Sequence, residues 1–579
     1  MPYLYFKTDA AVKVSYTIHV KDDSISDFSR DVCQDEEYQT EHEFQVIGLI
    51  PDTENTITFY VTNEDGSTNT KEIVYEMGSL YGEEKVQLDT DIKQSVEQLE
   101  DGLYVILGND SSSMDFMYYY DNSGVLRGEV PLLGYRSQRL LFDDNFMYYS
   151  ISEKRMAQVN RLGQVTKVYN LGDYSLHHDY VFDENGNMLI LATDTTQDSV
   201  EDIVLKLDVN SGEVTKVLDL GDLLGDYKKT CVKNSSDELD WMHINTIQYM
   251  GNGSVLLSSR ETSTIIKVDN LYDEPSIAYM IGEKDFWEDT SYISCLLNKK
   301  GDFTIQGGQH TITYETDESL ADGQYYLYMF NNNIGISETR PDYDWSSIGL
   351  KTSSAVDGKN SKYYKYLVDE NEGTFELVDS FKVPYSGYVS SAQDIGDHVL
   401  VDSGLKGTFT EYDADHKAIA TYKMDYEEFI YRVFKYNFEG FYFKPRCTIE
   451  DIKPYAENFV ISSACLASKL ARESDFEKCV EYINEYKEAF PYFFLEMQSH
   501  SHQDQCLYNQ KILELSKRTN TPFIITTDSH APKKEDLYYQ DKLIQIGRKS
   551  TNNDKNAIEN SEVYEGCYMQ SEQEIHECM

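Results

Sequence analysis

Basic residues are in short supply. The 579-residue chain has 51 Lys and Arg against 101 Asp and Glu, a formal net charge of −50. Gripping nucleic acid or an anionic membrane takes clustered Lys and Arg, so neither is a principal partner. The acidic excess keeps a large chain soluble. Proline is also scarce, at 11 residues. The nine cysteines (Cys33, Cys231, Cys295, Cys447, Cys465, Cys479, Cys506, Cys567 and Cys578) form no Cys-x-x-Cys pair and no regular spacing. That excludes a disulfide framework and a structural zinc knuckle. No apolar run is long enough for a helical membrane span. The opening MPYLYFKTDAAVKVSYTIHV alternates like a strand and lacks the basic head and apolar run of a signal peptide. The Gly-x-x-x-x-Gly-Lys-Ser/Thr word of a nucleotide-cradling loop is missing.

What remains is rich in tyrosine, with 47, and its first two thirds are rich in Val, Ile and Thr. These residues favour strands. Val12 to Ile18 alternates apolar and polar, Phe44 to Val46 does so briefly, and Thr56 to Val61 leads to a turn at Asn63–Gly66. Residues 1–75 therefore read as a small immunoglobulin-like β-sandwich, and 76–100 as an acidic connection.

Between 101 and 443 a unit repeats: turn, apolar strand, second polar turn, strand. First turns fall at Asp101-Gly102, Asp143-Asp144, Asn185-Gly186, Asn252-Gly253, Asp322-Gly323 and Gly396-Asp397. Second turns fall near Asp121, Arg161, Asn210, Asp269, Asp369 and Asp413. Units of roughly 40–70 residues without a helical period point to β-propeller blades. The count is six; insertions blur the ends and leave five or seven open.

The innermost strand of a blade lines the central channel. Three candidates begin with histidine: His177-His178, His243 before Asn245, and His310 after Gly307-Gly308-Gln309. A comparable fourth begins at Ser390-Ser391. Repetition at one phase brings such residues together at one mouth of the channel. In DWMHINTIQYMGNGSVLLSSR, alternation puts His243 and Asn245 on one face, and a hairpin at Asn252-Gly253 returns Arg260 beside them. A guanidinium, an amide and imidazoles suit an oxyanion such as sulfate or phosphate. His310 is a candidate nucleophile, and His177 or His178 a further donor or proton shuttle. Metal binding by three histidines competes with this, and Arg260 argues against it by repelling a cation. A non-catalytic anion-binding propeller is the other reading.

Together DWMHIN, SVLLSSR, HHDYVFDENGNMLILA and GGQH resemble the bacterial arylsulfate sulfotransferase family over residues 1–443. The resemblance implies an Ig-like domain before a six-bladed propeller. It implies ping-pong transfer of a sulfuryl group from an aryl sulfate to a phenol, without nucleotide donor or other cofactor. It further implies His310 as the sulfurylated nucleophile, and His243, Asn245 and Arg260 around the sulfate and leaving group. His178 would be a further channel histidine, and Ser390 or Ser391 a loose match to a sulfate contact. Glu261 departs from the His-Gln that commonly follows the arginine. Expected partners are small aryl sulfates and phenols, with no nucleic acid; a homodimer stays open. The family acts in the periplasm, outside the cell or at its surface.

From about 444 the pattern becomes α/β. Helical periods occupy 476–490 and 510–518, and strands begin at Phe493 and Phe523. The words around Gly440–Arg446, Ser462–Leu466, Leu495–His500 and Thr526–His530 resemble part of the polymerase and histidinol phosphatase (PHP) domain of bacterial DNA polymerase III alpha subunits. That resemblance offers Asp528, His530 and Cys465 as vestigial metal candidates, without the family's first His-x-His pair. The expectation for 444–579 is a partial α/β segment without phosphoesterase activity. A fragment of that phosphoesterase is the alternative.

Overall fold

A computed structural model describes residues 2–436, apart from 33–37, 83, 92–94, 110–115, 133–135, 144–145, 161, 318, 353, 357 and 427. Further on it describes 456, 460–464, 468–472, 476–499, 503–527, 529, 533–534, 568–571 and 575. The chain divides into two compact units, 1–444 and 445–579.

The Ig-like part is organised by one long strand, β1 (Tyr3–Val20). Its first half pairs with β3 (Gln39–Gln45), and its second half with both β2 (Phe28–Asp31) and β4 (Glu54–Asn63). β5 (Thr68–Glu76) completes the sheet beside β4. The alternation in β1 buries Val12, Val14, Tyr16 and Ile18 against Phe44, Ile57 and Phe59. This core continues into the propeller through Leu103, Val105, Met147 and Tyr149. Arg127 pins the junction. Its Nε donates to Asp121 at 2.7 Å, Nη1 to the Gly48 carbonyl at 3.1 Å and Nη2 to the Ser26 carbonyl at 2.7 Å.

Among the described residues six antiparallel blades follow. Their innermost strands are Ile430–Tyr436 (blade 1), Leu141–Phe142 (blade 2), Tyr174–Phe182 (blade 3), Ile244–Gly251 (blade 4), His310–Glu315 (blade 5) and Ser391–Ile395 (blade 6). Blade 1 closes the ring. Its inner strand comes from the end of the propeller sequence and pairs with Leu103–Asn109, from the beginning. The turn at Asp101-Gly102 thus precedes a second strand whose partner lies more than 300 positions away, which local periodicity does not reveal. The acidic connection is also part of the ring: Asp89–Asp91 pairs with Thr421–Lys423 on the outer edge of blade 6. In blade 5, Asn298–Lys300 adds a parallel edge strand.

The second unit carries a parallel sheet of Ile461–Ser462, Phe493–Gln498 and Phe523–Thr526. Helices Phe476–Ala489 and Gln503–Thr519 occupy the intervals, as strand–helix–strand crossovers require. Ile483, Phe490, Leu495, Ile512 and Leu515 form its core. The second helix stops at Asn520, which is left-handed at φ 52°, just before Pro522. The Lys487 ammonium bonds the Thr519 carbonyl at 2.7 Å there. Cys465, Asp528 and His530 lie outside the described residues.

Candidate active site

Four innermost strands share a local distortion where the candidate residues sit. His178, His243, Thr311 and Ser390 all have positive φ, at 52°, 47°, 49° and 86°. Non-glycine residues in this region cost roughly 1–3 kcal/mol each and collect where a side chain must be re-aimed. Pairing is irregular at the same points, between Leu176 and Tyr180, Ile244 and Thr246, and His310 and Thr313. Such bulges redirect side chains.

The alternation argument for His243 and Asn245 fails for this reason. His243 lies before the strand in a left-handed conformation, and Asn245 sits in the irregular step. Asn245 Nδ2 donates to the Gln309 carbonyl at 2.9 Å and so braces the residue before His310. The hairpin itself forms over Asn252-Gly253, and the Arg260 N–H donates to the His243 carbonyl at 3.2 Å.

His178 and His310 flank Tyr431, and His243 adjoins His178. Ring centroids lie 4.9 Å apart for His178 and His243, 5.4 Å for His178 and Tyr431, and 6.2 Å for His310 and Tyr431. His177 adjoins His178 at 5.1 Å, and burial pushes it down to about 4, so it is neutral. The Arg260 guanidinium acts electrostatically on His178, His243 and His310 alike.

His310 has a defined tautomer. Asn332 Nδ2 donates to the carbonyls of Ser386 (2.8 Å) and Val389 (3.0 Å). Its Oδ1 therefore faces His310 Nδ1, at 2.9 Å, and the Gly308 carbonyl lies 3.0 Å from the same nitrogen. Two acceptors require a hydrogen on Nδ1. The lone pair is then on Nε2, which has no hydrogen-bond partner among the described residues. Burial, against the raising effect of Asn332, holds this imidazole well below the usual histidine range, and the charges of His178, Arg260 and His243 add to that. It is a neutral base.

His243 is the opposite case. Burial and Arg260 disfavour its cation, but Asp240 at 2.6 Å and Glu201 at 2.9 Å from Nδ1 outweigh them and raise it to about 10. It is an imidazolium whose Nε2–H is a donor. His178 Nε2 bonds the same Glu201 Oε2 at 3.0 Å. Arg260 Nη2 donates to Glu261 at 3.2 Å. Glu261 in turn accepts from the Thr339 N–H and hydroxyl at 3.2 and 3.3 Å, and its carbonyl accepts from the Ser337 hydroxyl. The residue that departs from His-Gln therefore ties the arginine to the 332–360 excursion of blade 5.

Below this layer, buried Asp179 accepts from Arg139 at 3.0 Å, Arg432 at 3.0 Å and the Ile247 N–H at 3.1 Å. Burial opposes ionisation there, but the two guanidinium groups hold Asp179 below the usual carboxylate range. The two candidate serines are engaged within the fold. Ser390 Oγ donates to Ser386 Oγ at 2.8 Å and accepts from the Gly404 N–H at 3.0 Å. Ser391 Oγ bridges the Val433 carbonyl and N–H.

The arylsulfotransferase (ASST) family profile matches residues 88–437, and that of the arylsulfotransferase Ig-like domain matches 2–78. The chain belongs to the arylsulfotransferase family. Its curated relatives match much less. DNA polymerase III subunit alpha of Borreliella burgdorferi is 32% identical over 132 residues, 22% of this chain and 12% of that protein. The same subunit of Thermus aquaticus is 29% identical over 120 residues, 20% of this chain and 10% of that protein. The chain thus spans only a small share of these relatives' length. Similar solved structures include a protein of unknown function from Bacteroides caccae, at TM-score 0.33 and 10% identity, covering 57% of this chain and 98% of that one. BamB from Moraxella catarrhalis has TM-score 0.28 and 11% identity, covering 59% and 91%.

Within each of two groups, His177, His178 and Glu201 on one side and Glu201, Asp240 and His243 on the other, the donor atoms lie within 4.8 Å of one another. That spacing also suits a metal. Two of the histidines, however, already donate to these carboxylates, and the Arg260 guanidinium sits beside them. No helix among the described residues is long and apolar enough to cross a membrane. Sequence reasoning missed Glu201, Asn332 and Tyr431. The run Asn331-Asn332-Asn333 at a strand end was a usable signal for the second. Tyr431 required recognition of the closing strand, and Glu201 sits in a loop with no motif.

Proposed function

We propose that this arylsulfotransferase moves a sulfuryl group from an aryl sulfate to a phenol in two steps through sulfohistidine at His310. The observation that carries the reading is the neutral His310, protonated on Nδ1 and carrying its lone pair on Nε2 beside Arg260 and the His243 imidazolium. In the first step Nε2 attacks sulfur, the S–O bond to the aryl oxygen breaks, and the electron pair leaves on the phenol oxygen. In the second, the acceptor oxygen attacks sulfur, the N–S bond breaks and the phenolic proton is released. Arg260 and His243 supply donors to the sulfuryl oxygens and to the leaving oxygen, where charge develops. Positioning and charge stabilisation carry most of such a transfer, as in phosphoryl transfer.

The test uses a chromogenic aryl sulfate with phenol as acceptor and no nucleotide. Acceptor-dependent release of the aryl alcohol is expected from the full chain and is lost in His310→Ala. Mass spectrometry of the peptide containing His310, after donor alone, is expected to show the addition of one SO3. Turnover retained by a folded His310→Ala protein sinks the reading.

A further inference from the structure

We propose that Glu201, a residue of the 195–202 loop of blade 3, is a positioning residue that fixes two channel histidines at once. One oxygen, Oε2, bonds His178 Nε2 at 3.0 Å and lies 2.9 Å from His243 Nδ1 as an ion-pair contact, while the Nδ1–H hydrogen bond itself goes to Asp240 at 2.6 Å. The backbone that carries this carboxylate is held from both sides. Glu201 is left-handed at φ 56°, its N–H donates to Thr193 Oγ1 at 2.9 Å, and its carbonyl accepts from the Ile244 N–H at 3.1 Å. The loop is further zipped to the stretch before blade 4, with the Val200 N–H on the Leu239 carbonyl at 3.2 Å. A strained non-glycine residue tied through both its N–H and its carbonyl, in a loop tied again at Val200, narrows where the carboxylate can stand.

Two consequences follow for the imidazoles. With Asp240 and Glu201 both on Nδ1, His243 stays charged and presents Nε2–H as a permanent donor. With Nε2–H committed to Glu201, His178 keeps its ring against Tyr431. The charged and titratable groups acting on His243 are Asp240 and Glu261, Arg260, His178 and His177, His310, and Glu201 itself. Glu201 supplies one of the two negative charges in direct contact. Without it Asp240 alone opposes burial and Arg260, and the His243 cation is lost at lower pH.

The role in transfer rests on the sulfuryl-transfer reading; the hold on His243 does not. The test therefore has two readouts on the full chain. In ¹⁵N-histidine NMR, with His243→Asn used to assign the signal, wild-type His243 is expected to remain an imidazolium from pH 6 to about pH 9. In Glu201→Gln it is expected to deprotonate at least about one pH unit lower. In turnover, Glu201→Gln is expected to lower kcat up to about 100-fold with a smaller change in KM, since a misaimed donor hurts the transition state most. Its alkaline limb is expected to move down with the NMR transition, and Glu201→Asp to restore part of both. A wild-type His243 that titrates near pH 6.5, the ordinary value, overturns the proposal even if the variants misfold. So does an unshifted His243 in folded Glu201→Gln. A shifted His243 in a protein that transfers no sulfuryl group rejects the transfer reading and upholds the positioning.

Discussion

Asn332→Leu tests the tautomer argument with little change in volume. The amide gives His310 Nδ1 one of its two acceptors, at 2.9 Å, while the Gly308 carbonyl remains at 3.0 Å. Losing one neutral hydrogen bond removes about 1 kcal/mol of preference for the reactive tautomer. At 1.36 kcal/mol per tenfold, kcat is expected to fall about five- to tenfold and not to vanish. KM is expected to hold, because Asn332 reaches the reaction only through the imidazole. Stability falls as well. The Ser386 carbonyl keeps the Ser361 hydroxyl at 3.1 Å, but the Val389 carbonyl loses the Asn332 amide, which costs about 1–3 kcal/mol for a buried acceptor. Asn332→Asp works in the other direction. A carboxylate against Nδ1 favours the imidazolium and raises the His310 pKa by about 1–3 units. The free base is then lost as pH falls through that higher value, so the acid limb of the rate moves up. The assay is the burst of aryl alcohol in the absence of acceptor, which isolates the first half-reaction. Full burst rate in folded Asn332→Leu, or an unmoved acid limb in Asn332→Asp, would refute the tautomer argument.

Three further variants probe the scaffold. Arg127→Ala removes a buried ion pair and both carbonyl contacts to the Ig-like domain, at a cost of about 3–5 kcal/mol. Calorimetry is expected to resolve a separate, earlier transition for residues 2–78 while turnover persists at low temperature; a single unshifted transition would count against Arg127 as the pin. A chain ending at residue 444 is expected to unfold cooperatively and to keep its activity. A chain ending at residue 429 loses the inner strand of blade 1, and with it Arg432 from Asp179 and Lys435 from Glu411. Protease resistance equal to that of the longer form would show that the ring does not need its closing strand.

Much of the ring was legible because it is local. Asx-type turns recur with apolar strands between them, and in the structure Asp121, Asp183 and Asp413 each bond backbone N–H groups two and four residues on. The closing strand was not legible. Its pairing depends on the two ends of the propeller sequence, and nothing within a single window carries that. The 89–91 edge strand escaped for a related reason: three acidic-threonine residues have no alternation to read, and their order comes from the blade 6 edge they join.

The site divides along the same line. Histidines at one phase of successive repeats signalled convergence, and the structure places His178 and His310 against Tyr431 with His243 against His178. Their chemical states were beyond reach, because these depend on contacts between blades. His310 and His243 are the same residue type at nearly the same phase, yet one faces an amide and a carbonyl and the other faces two carboxylates. Burial disfavours the cation at both; at His310 nothing overcomes it, whereas at His243 the two carboxylates do. Period-two reasoning misplaced Asn245 because the strand is irregular where the chemistry sits. A regular strand would send His243 and Asn245 to one face; the left-handed turn at His243 frees it to meet Asp240 and Glu201 while Asn245 steadies Gln309. The repeat brings the histidines together, and the departures from the repeat set what each one can do.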